Sequence, residues 1–449
     1  MAVNRTRTAL LEGGASSLSW FGIFRLGLVQ TALGAVVVLC TSTINRAMVV
    51  ELALPATLPG LLVALHYAMQ MLRPRMGHGS DAGGRRTPWI IGGMAVLALG
   101  GAGAGLSTGV MAENFWGGVA LAVLSFVMIG AGVGAAGTSL LTLLAGEVAP
   151  ARRAAAGTIV WLMMLAGFAI TATIAGKLLD PFSAERLFAV VAGLSGGAFV
   201  LACVAVLGIE RDGARTPKAK VDFRAALREV WAEAAARQFT IFVFISMLAY
   251  SAADLILEPF AGEVFGLTIG QSTALAGQQN AGTALGMVLV GICGSLFAGR
   301  AMGSLRAWRT AGCLASALML ALLAGARPAS PLGTGAGFPL GTGFFLLGVA
   351  NGAFAAAAIA SMMQLAGREG EARAGMRMGL WGAAQAIAFG LGGLAGTMLC
   401  DLGRLVFGQA AAAYSLVFIL EALLFIASAV LAWRIGATSR PIIGKELQA

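Results

Sequence analysis

Charge is what this sequence has least of. Asp, Glu, Lys and Arg make up 11% of its 449 residues, where a soluble domain carries roughly 25%. Hydrophobic residues make up 58%, and the mean hydropathy is +0.86. A water-soluble domain is excluded. Cysteine is scarce and dispersed: Cys40, Cys203, Cys293, Cys313 and Cys400 each lie inside or at the end of an apolar run, with no C-x-x-C pair. Neither a disulfide framework nor a zinc site follows from them. The opening stretch, MAVNRTRTALLEGGASS, has no apolar h-region and no cleavage site, so the first span is expected to act as the insertion signal. The six aspartates, Asp81, Asp180, Asp212, Asp222, Asp254 and Asp401, are scattered. That speaks against a membrane-embedded prenyltransferase, which needs clustered carboxylates to hold magnesium diphosphate. No catalytic residue and no protein metal site are expected.

What is present is a succession of apolar runs, each near the 20 residues that cross a bilayer. They fall at about 24–45, 56–72, 88–108, 116–145, 157–176, 187–208, 239–261, 272–297, 309–326, 339–366, 375–399 and 410–433. The pattern predicts an all-α membrane protein of twelve transmembrane helices in two six-helix bundles, residues 1–208 and 238–449, joined by a linker at 209–237. Within the linker, Asp222 can cap a helix on which Phe223, Leu227, Val230, Trp231 and Ala234 share one face. Such a helix would lie on the membrane surface.

Basic residues test this layout. With twelve spans and both termini on one side, 25 Lys and Arg fall on that side and five, Arg46, Lys177, Arg186, Arg327 and Arg404, on the other. The asymmetry predicts that both termini are cytoplasmic, because short cytoplasmic loops collect Lys and Arg. It also explains the net charge of +10 without a nucleic-acid partner. Glycine is expected to pack the helices, since Gly101 and Gly105, Gly130 and Gly134, and Gly392 and Gly396 each form G-x-x-x-G.

The loop at 73–88, RPRMGHGSDAGGRRTP, places Gly77, Asp81, Gly84, Arg85 and Arg86 in the spacing G-x-x-x-D-x-x-G-R-R. The glycines suit a helix end and a tight turn, and Asp81 with the arginines can bond to neighbouring helix ends. The spacing resembles the signature loop of the major facilitator superfamily, and implies that fold. Glu147, Pro150, Arg152 and Arg153 resemble the next cytoplasmic facilitator loop, or are simply a basic loop with helix caps. The second half has no copy of the signature: residues 294–309 read GSLFAGRAMGSLRAWR, without aspartate. The fifth run lacks the Gly-Pro pattern of drug/proton antiporters.

Polar residues inside apolar runs need a reason, because a charge at mid-bilayer costs about 2.5–3.5 kcal/mol on insertion scales. The first run holds Gln30, Asn45 and Arg46, with Glu51 shortly after; the seventh holds Asp254 and Glu258, four apart on one helix face, with Pro259 following. Either Arg46 faces Asp254 or Glu258 across a central cavity, or all four are polar anchors at the outer interface. His66, with Tyr67 and Gln70 beside it, is either hydrogen-bonded within the bundle or an axial ligand to a magnesium porphyrin.

The segments INRAMVVELALP, DLILEPFAGEVFGL and GLWGAAQAIAFGLGG resemble the PucC/LhaA, or bacteriochlorophyll-delivery, family, a facilitator branch of phototrophic bacteria. The short length and the loop GHGSDAGGRRTPWI are most similar to the member associated with bacteriochlorophyll synthesis. The resemblance implies a photosynthetic assembly factor in the bacterial inner (intracytoplasmic) membrane, with bacteriochlorophyll as bound cargo and light-harvesting apoproteins or bacteriochlorophyll synthase as partners. A proton-coupled small-molecule transporter with Asp254 or Glu258 as its proton site is the alternative.

Overall fold

The computed structural model describes residues 18–73, 76, 85–148, 152–210, 228, 231–296, 304–327, 340–367 and 371–435. These residues form twelve helices: α1 Trp20–Val38, α2 Thr57–Gln70, α3 Thr87–Glu113, α4 Phe115–Glu147, α5 Arg153–Leu178 and α6 Ala184–Val206, then α7 Ala234–Phe265, α8 Ile269–Leu296, α9 Leu305–Gly325, α10 Leu340–Gly367, α11 Glu371–Phe407 and α12 Ala410–Ile435. Ten are long and apolar enough to cross a membrane, α1 being continued in π-helical form to Glu51. The two outside that set are α2, described over 14 residues, and α8, which carries Gln271, Gln278, Gln279 and Asn280. They are the second helices of their respective halves.

Helix starts follow local chemistry. Ser19, Asn114, Ser183 and Ser304 each accept a hydrogen bond from a backbone N–H in the first turn of the helix that follows, which satisfies donors the helix cannot. The start of α3 is capped from a distance: Glu210 accepts from the backbone N–H of Arg86 at 2.7 and 2.8 Å and of Thr87 at 2.7 Å. Arg86 also donates to the Thr142 carbonyl of α4 at 2.9 Å. Of the signature loop, Gly77, Asp81 and Gly84 lie outside the described residues. So does half of the expected surface helix at 222–237, whose last turn from Ala234 opens α7.

Two large apolar cores result, with a small third cluster of Val290, Ala353 and Ala357 between α8 and α10. One joins α1 to α6 through residues such as Leu26, Val36, Phe126 and Val191. The other joins α7 to α12 through Phe242, Phe260, Phe354, Trp381 and Phe418. Glycine allows close crossings. A Cβ on Gly130 would stand 2.5 Å from the His66 carbonyl of α2, and one on Gly392 would stand 2.4 Å from the Leu248 carbonyl of α7. The halves meet along α2–α11 and α5–α8. At the second crossing a Cβ on Gly176 would approach the Gly270 carbonyl to 2.6 Å.

Candidate functional site

Where α1 meets α7, two sequence features answer each other. Pro259 sits inside α7 and has no N–H, so the carbonyl of Leu255, four residues earlier, loses its helical donor. Asn45 supplies the replacement, donating from Nδ2 to that carbonyl at 2.6 Å. On its own side, α1 runs into two π-helical stretches, Leu39–Ile44 and Ala47–Glu51. A π-helix repeats i to i+5, and Leu52 N–H bonds the Ala47 carbonyl at 3.1 Å in that pattern.

The same repeat puts Glu51 one turn from Arg46, and the two form an ion pair in which Arg46 is 2% and Glu51 28% exposed. The second guanidinium arm of Arg46 donates to the Leu267 carbonyl at 2.8 Å. Gly262 makes the room: a Cβ there would sit 3.0 Å from Arg46 Nη2. Gly266, with φ +67°, ends α7 in the left-handed conformation and turns the chain so that Leu267 follows. Arg46 therefore pairs with Glu51 and a helix end, not with Asp254 or Glu258. The π-helical register brings it a nearer acid than α7 can.

Glu258 and Asp254 lie one and two turns before Gly262 on α7. They line a cavity of about 30 Å³ with Thr41 and Ser42 of α1, Phe168 of α5, Tyr250, and Gln279 and Asn280 of α8. Glu258 is 3% exposed; its Oε2 accepts from Thr273 at 3.1 Å, and its Oε1 has no donor. A water takes about 10–15 Å³ of such volume, so the cavity has room for about two. A bacteriochlorophyll macrocycle does not fit there.

His66 is 2% exposed; its Nε2 is bonded to Gln70 at 2.8 Å, and its Nδ1 is buried without a partner. Gln70 in turn accepts from Arg73. Neither ring nitrogen has the open face that a magnesium porphyrin needs, so the pigment-ligand reading does not suit His66 as it stands. Tyr67 packs edge-on against the imidazole and reaches Phe389 of α11 at 5.4 Å between ring centroids.

Sequence reading passed over the polar bonds that join the bundles. Asp401 of α11 accepts from Ala56 N–H at 3.0 Å, Thr57 N–H at 2.7 Å and the Thr57 hydroxyl at 2.7 Å, capping α2. Asp180, at the end of α5, accepts from the Thr268 hydroxyl at 2.8 Å and Gly270 N–H at 3.3 Å, capping α8. Each aspartate thus caps the second helix of the opposite half, a mirrored pair at the basic-poor end. Arg404 reinforces the first cap: it bonds Asp401 at 3.2 Å and Glu263 of α7 at 2.8 Å, and donates to Tyr414 at 2.8 Å. Glu263 belongs to the LEPFAGEVFG stretch itself. A further miss is Glu421, in the run SLVFILEALLF of α12, which is 2% exposed with neither carboxylate oxygen partnered. An acid in the middle of an apolar run was the signal available.

The comparisons with known proteins agree with this architecture. The chain is 52% identical over 421 residues to a Rhodobacter capsulatus protein named "Bacteriochlorophyll synthase 44.5 kDa chain", covering 93% of this chain and 95% of that protein. It is 31% identical to "Protein PucC" of Cereibacter sphaeroides, covering 82% of this chain and 81% of the relative. Among solved structures, a bacterial homologue of the human lysosomal transporter Spinster, crystallised inward-facing and occupied, superposes with a TM-score of 0.71 at 14% identity, covering 93% of this chain and 96% of that one. The fold is that of the major facilitator transporters. The profile of the family described as "PUCC protein" matches residues 43–439, and the chain belongs to that family.

Proposed function

We propose that this protein is a photosynthetic assembly factor that handles bacteriochlorophyll beside its synthase and passes it to light-harvesting apoproteins. The observation that carries this reading is the 52% identity, over nearly the full length, to a relative named as a chain of bacteriochlorophyll synthase. Its place is the photosynthetic inner membrane, with both termini cytoplasmic, as the 25-to-5 division of basic residues favours. The central cavity is too small for the pigment, and aspartate caps tie the two halves together at the basic-poor end. The pigment, an amphiphile, therefore binds against surfaces reached from the bilayer or from the basic-rich end.

The synthase in the relative's name is read as an association rather than as chemistry of this chain. Among the described residues, Asp180 and Asp401 serve as helix caps at separate crossings and Asp254 lines the cavity. No two of them meet to hold a magnesium diphosphate. Deletion in a phototrophic host tests the role: antenna complexes fall while bacteriochlorophyll synthase activity in membranes persists. Unchanged antenna levels would overturn it. The transporter reading is favoured by one observation, the paired carboxylates in the cavity. Uptake into proteoliposomes driven by a pH gradient and lost in Asp254→Asn would support that reading instead.

A further inference from the structure

We propose that the start of α9, at the basic-rich end, is a binding site for the phosphate group of an anionic lipid, held by Arg306 and Arg309. Arg309, in the second turn of α9, is 4% exposed, and its guanidinium carbon lies 5.7 Å from the ring centroids of both Phe239 and Phe242 of α7. Among the described residues it makes no hydrogen bond and no ion pair, and its Nε is buried without an acceptor. The titratable groups acting on it there are Cys313, one turn on, and Arg306, a second cation. Arg306 stacks over Trp433 of α12 at 3.9 Å, and its Nε is also buried without an acceptor, as is the hydroxyl of Thr310. Hydrogen-bond donors are thus gathered with no acid among them. A guanidinium taken out of water without a counter-charge is costly, and a bound anion offsets that cost. Stacking occupies the faces of a guanidinium and leaves its N–H edges, whose fork matches phosphate oxygens.

The first half of the chain shows what the second lacks. The start of α3, the third helix of its half, is capped by Glu210, four residues beyond the end of α6. The third helix of the second half is α9. The stretch that follows α12, GATSRPIIGK, has no acid before Glu446, and residues 294–309 have none either. An external anion takes the place that Glu210 fills in the first half. That it belongs to a lipid follows from what continues beyond the arginine. Arg306, Thr310, Leu314 and Leu318 recur every four residues, so they share one face of α9. Ile426, Val430 and Trp433 do the same on α12, which packs against α9. Both leucines and all three α12 residues are exposed, an apolar strip for acyl chains that leads up to the two cations. Trp433 suits the headgroup level, where tryptophan concentrates, and basic pockets between helices on the cytoplasmic side hold anionic headgroups. This site does not depend on pigment handling.

The test is the thermal unfolding midpoint of the detergent-solubilised full chain in mixed micelles, with phosphatidylglycerol replacing phosphatidylcholine at fixed total lipid. A second series replaces sodium chloride with sodium phosphate at constant ionic strength, in phosphatidylcholine alone. Phosphatidylglycerol is expected to raise the midpoint saturably, and free phosphate to have no effect. Arg309→Gln then raises the half-saturating lipid fraction about tenfold and Arg306→Gln about threefold. Arg309→Lys, which keeps the charge and loses the fork, falls between the wild type and Arg309→Gln. Arg25→Gln, a first-half arginine at the same end, leaves the response unchanged. Stabilisation by phosphate in phosphatidylcholine alone would assign the site to a soluble anion and overturn the lipid. The proposal is also overturned if the two lipids stabilise alike, or if the Arg306 and Arg309 variants respond as the wild type does. Should the Arg309 variants fail to fold, the wild-type series and Arg306→Gln decide the matter.

Discussion

Asn45 of α1 donates to the backbone carbonyl that Pro259 of α7 leaves without a helical partner, at 2.6 Å and across 210 residues of sequence. This bond joins the NRAMVVEL and LEPFAGEVFG stretches into one junction. An unsatisfied buried polar group costs about 1–3 kcal/mol, so Asn45→Ala is expected to destabilise the protein by that amount. In a Pro259→Ala background the carbonyl regains its own helix donor and the cost of Asn45→Ala falls below about 1 kcal/mol. A double-mutant cycle on thermal or denaturant unfolding reads the coupling. Additive effects would contradict the assignment.

The Arg46–Glu51 pair makes an asymmetric prediction. Arg46 is buried and Glu51 is partly exposed. Removing the acid strands a buried charge, whereas removing the base leaves an acid that can reach solvent. Glu51→Gln is expected to cost about 3 kcal/mol, more than Arg46→Met, and the double variant is expected to be more stable than Glu51→Gln alone. Unfolding midpoints of the three variants check the order.

The mirrored caps at Asp180 and Asp401 hold the basic-poor end together. Asp401→Ala removes a helix cap, at a cost of about 1–2 kcal/mol, and frees the start of α2. Amide exchange at Ala56 and Thr57 is expected to accelerate about tenfold, and spin labels across the α2–α11 crossing to report a wider distance distribution. Asp180→Ala does the same at Gly270 on the α5–α8 crossing. Exchange unchanged in both variants would contradict a latch.

Glu421 offers a gain of stability. Its carboxylate is buried in α12 without a partner, so Glu421→Leu is expected to raise the unfolding midpoint by several degrees, in line with the about 2.5–3.5 kcal/mol cost of a mid-membrane acid. A lower midpoint would reveal a partner or a role for the carboxylate.

The helices were legible because hydropathy sets the span, and the twelve apolar runs correspond to twelve helices. Their ends were not always legible. Hydropathy ends the first run at about 45 while the helical path continues to Glu51, because a π-helical repeat leaves no hydropathy mark. Hydropathy ends the eleventh at about 399 while α11 reaches Phe407, because Asp401 and Arg404 look like loop residues until their partners in α2 and α7 are known. In the candidate site, the polar residues of the first and seventh runs stood out from their surroundings. Their partners did not, since the acceptors are backbone carbonyls at Leu255 and Leu267, which carry no sequence signature.

Pigment handling is read out by an absorption spectrum of the protein purified from pigment-rich phototrophic membranes. A bacteriochlorophyll band is expected to co-purify in fixed proportion to protein, shifted to the red of free pigment. The band is expected to survive His66→Ala, because the ring Nε2 is engaged by Gln70. Pigment-free protein from the same membranes would contradict it.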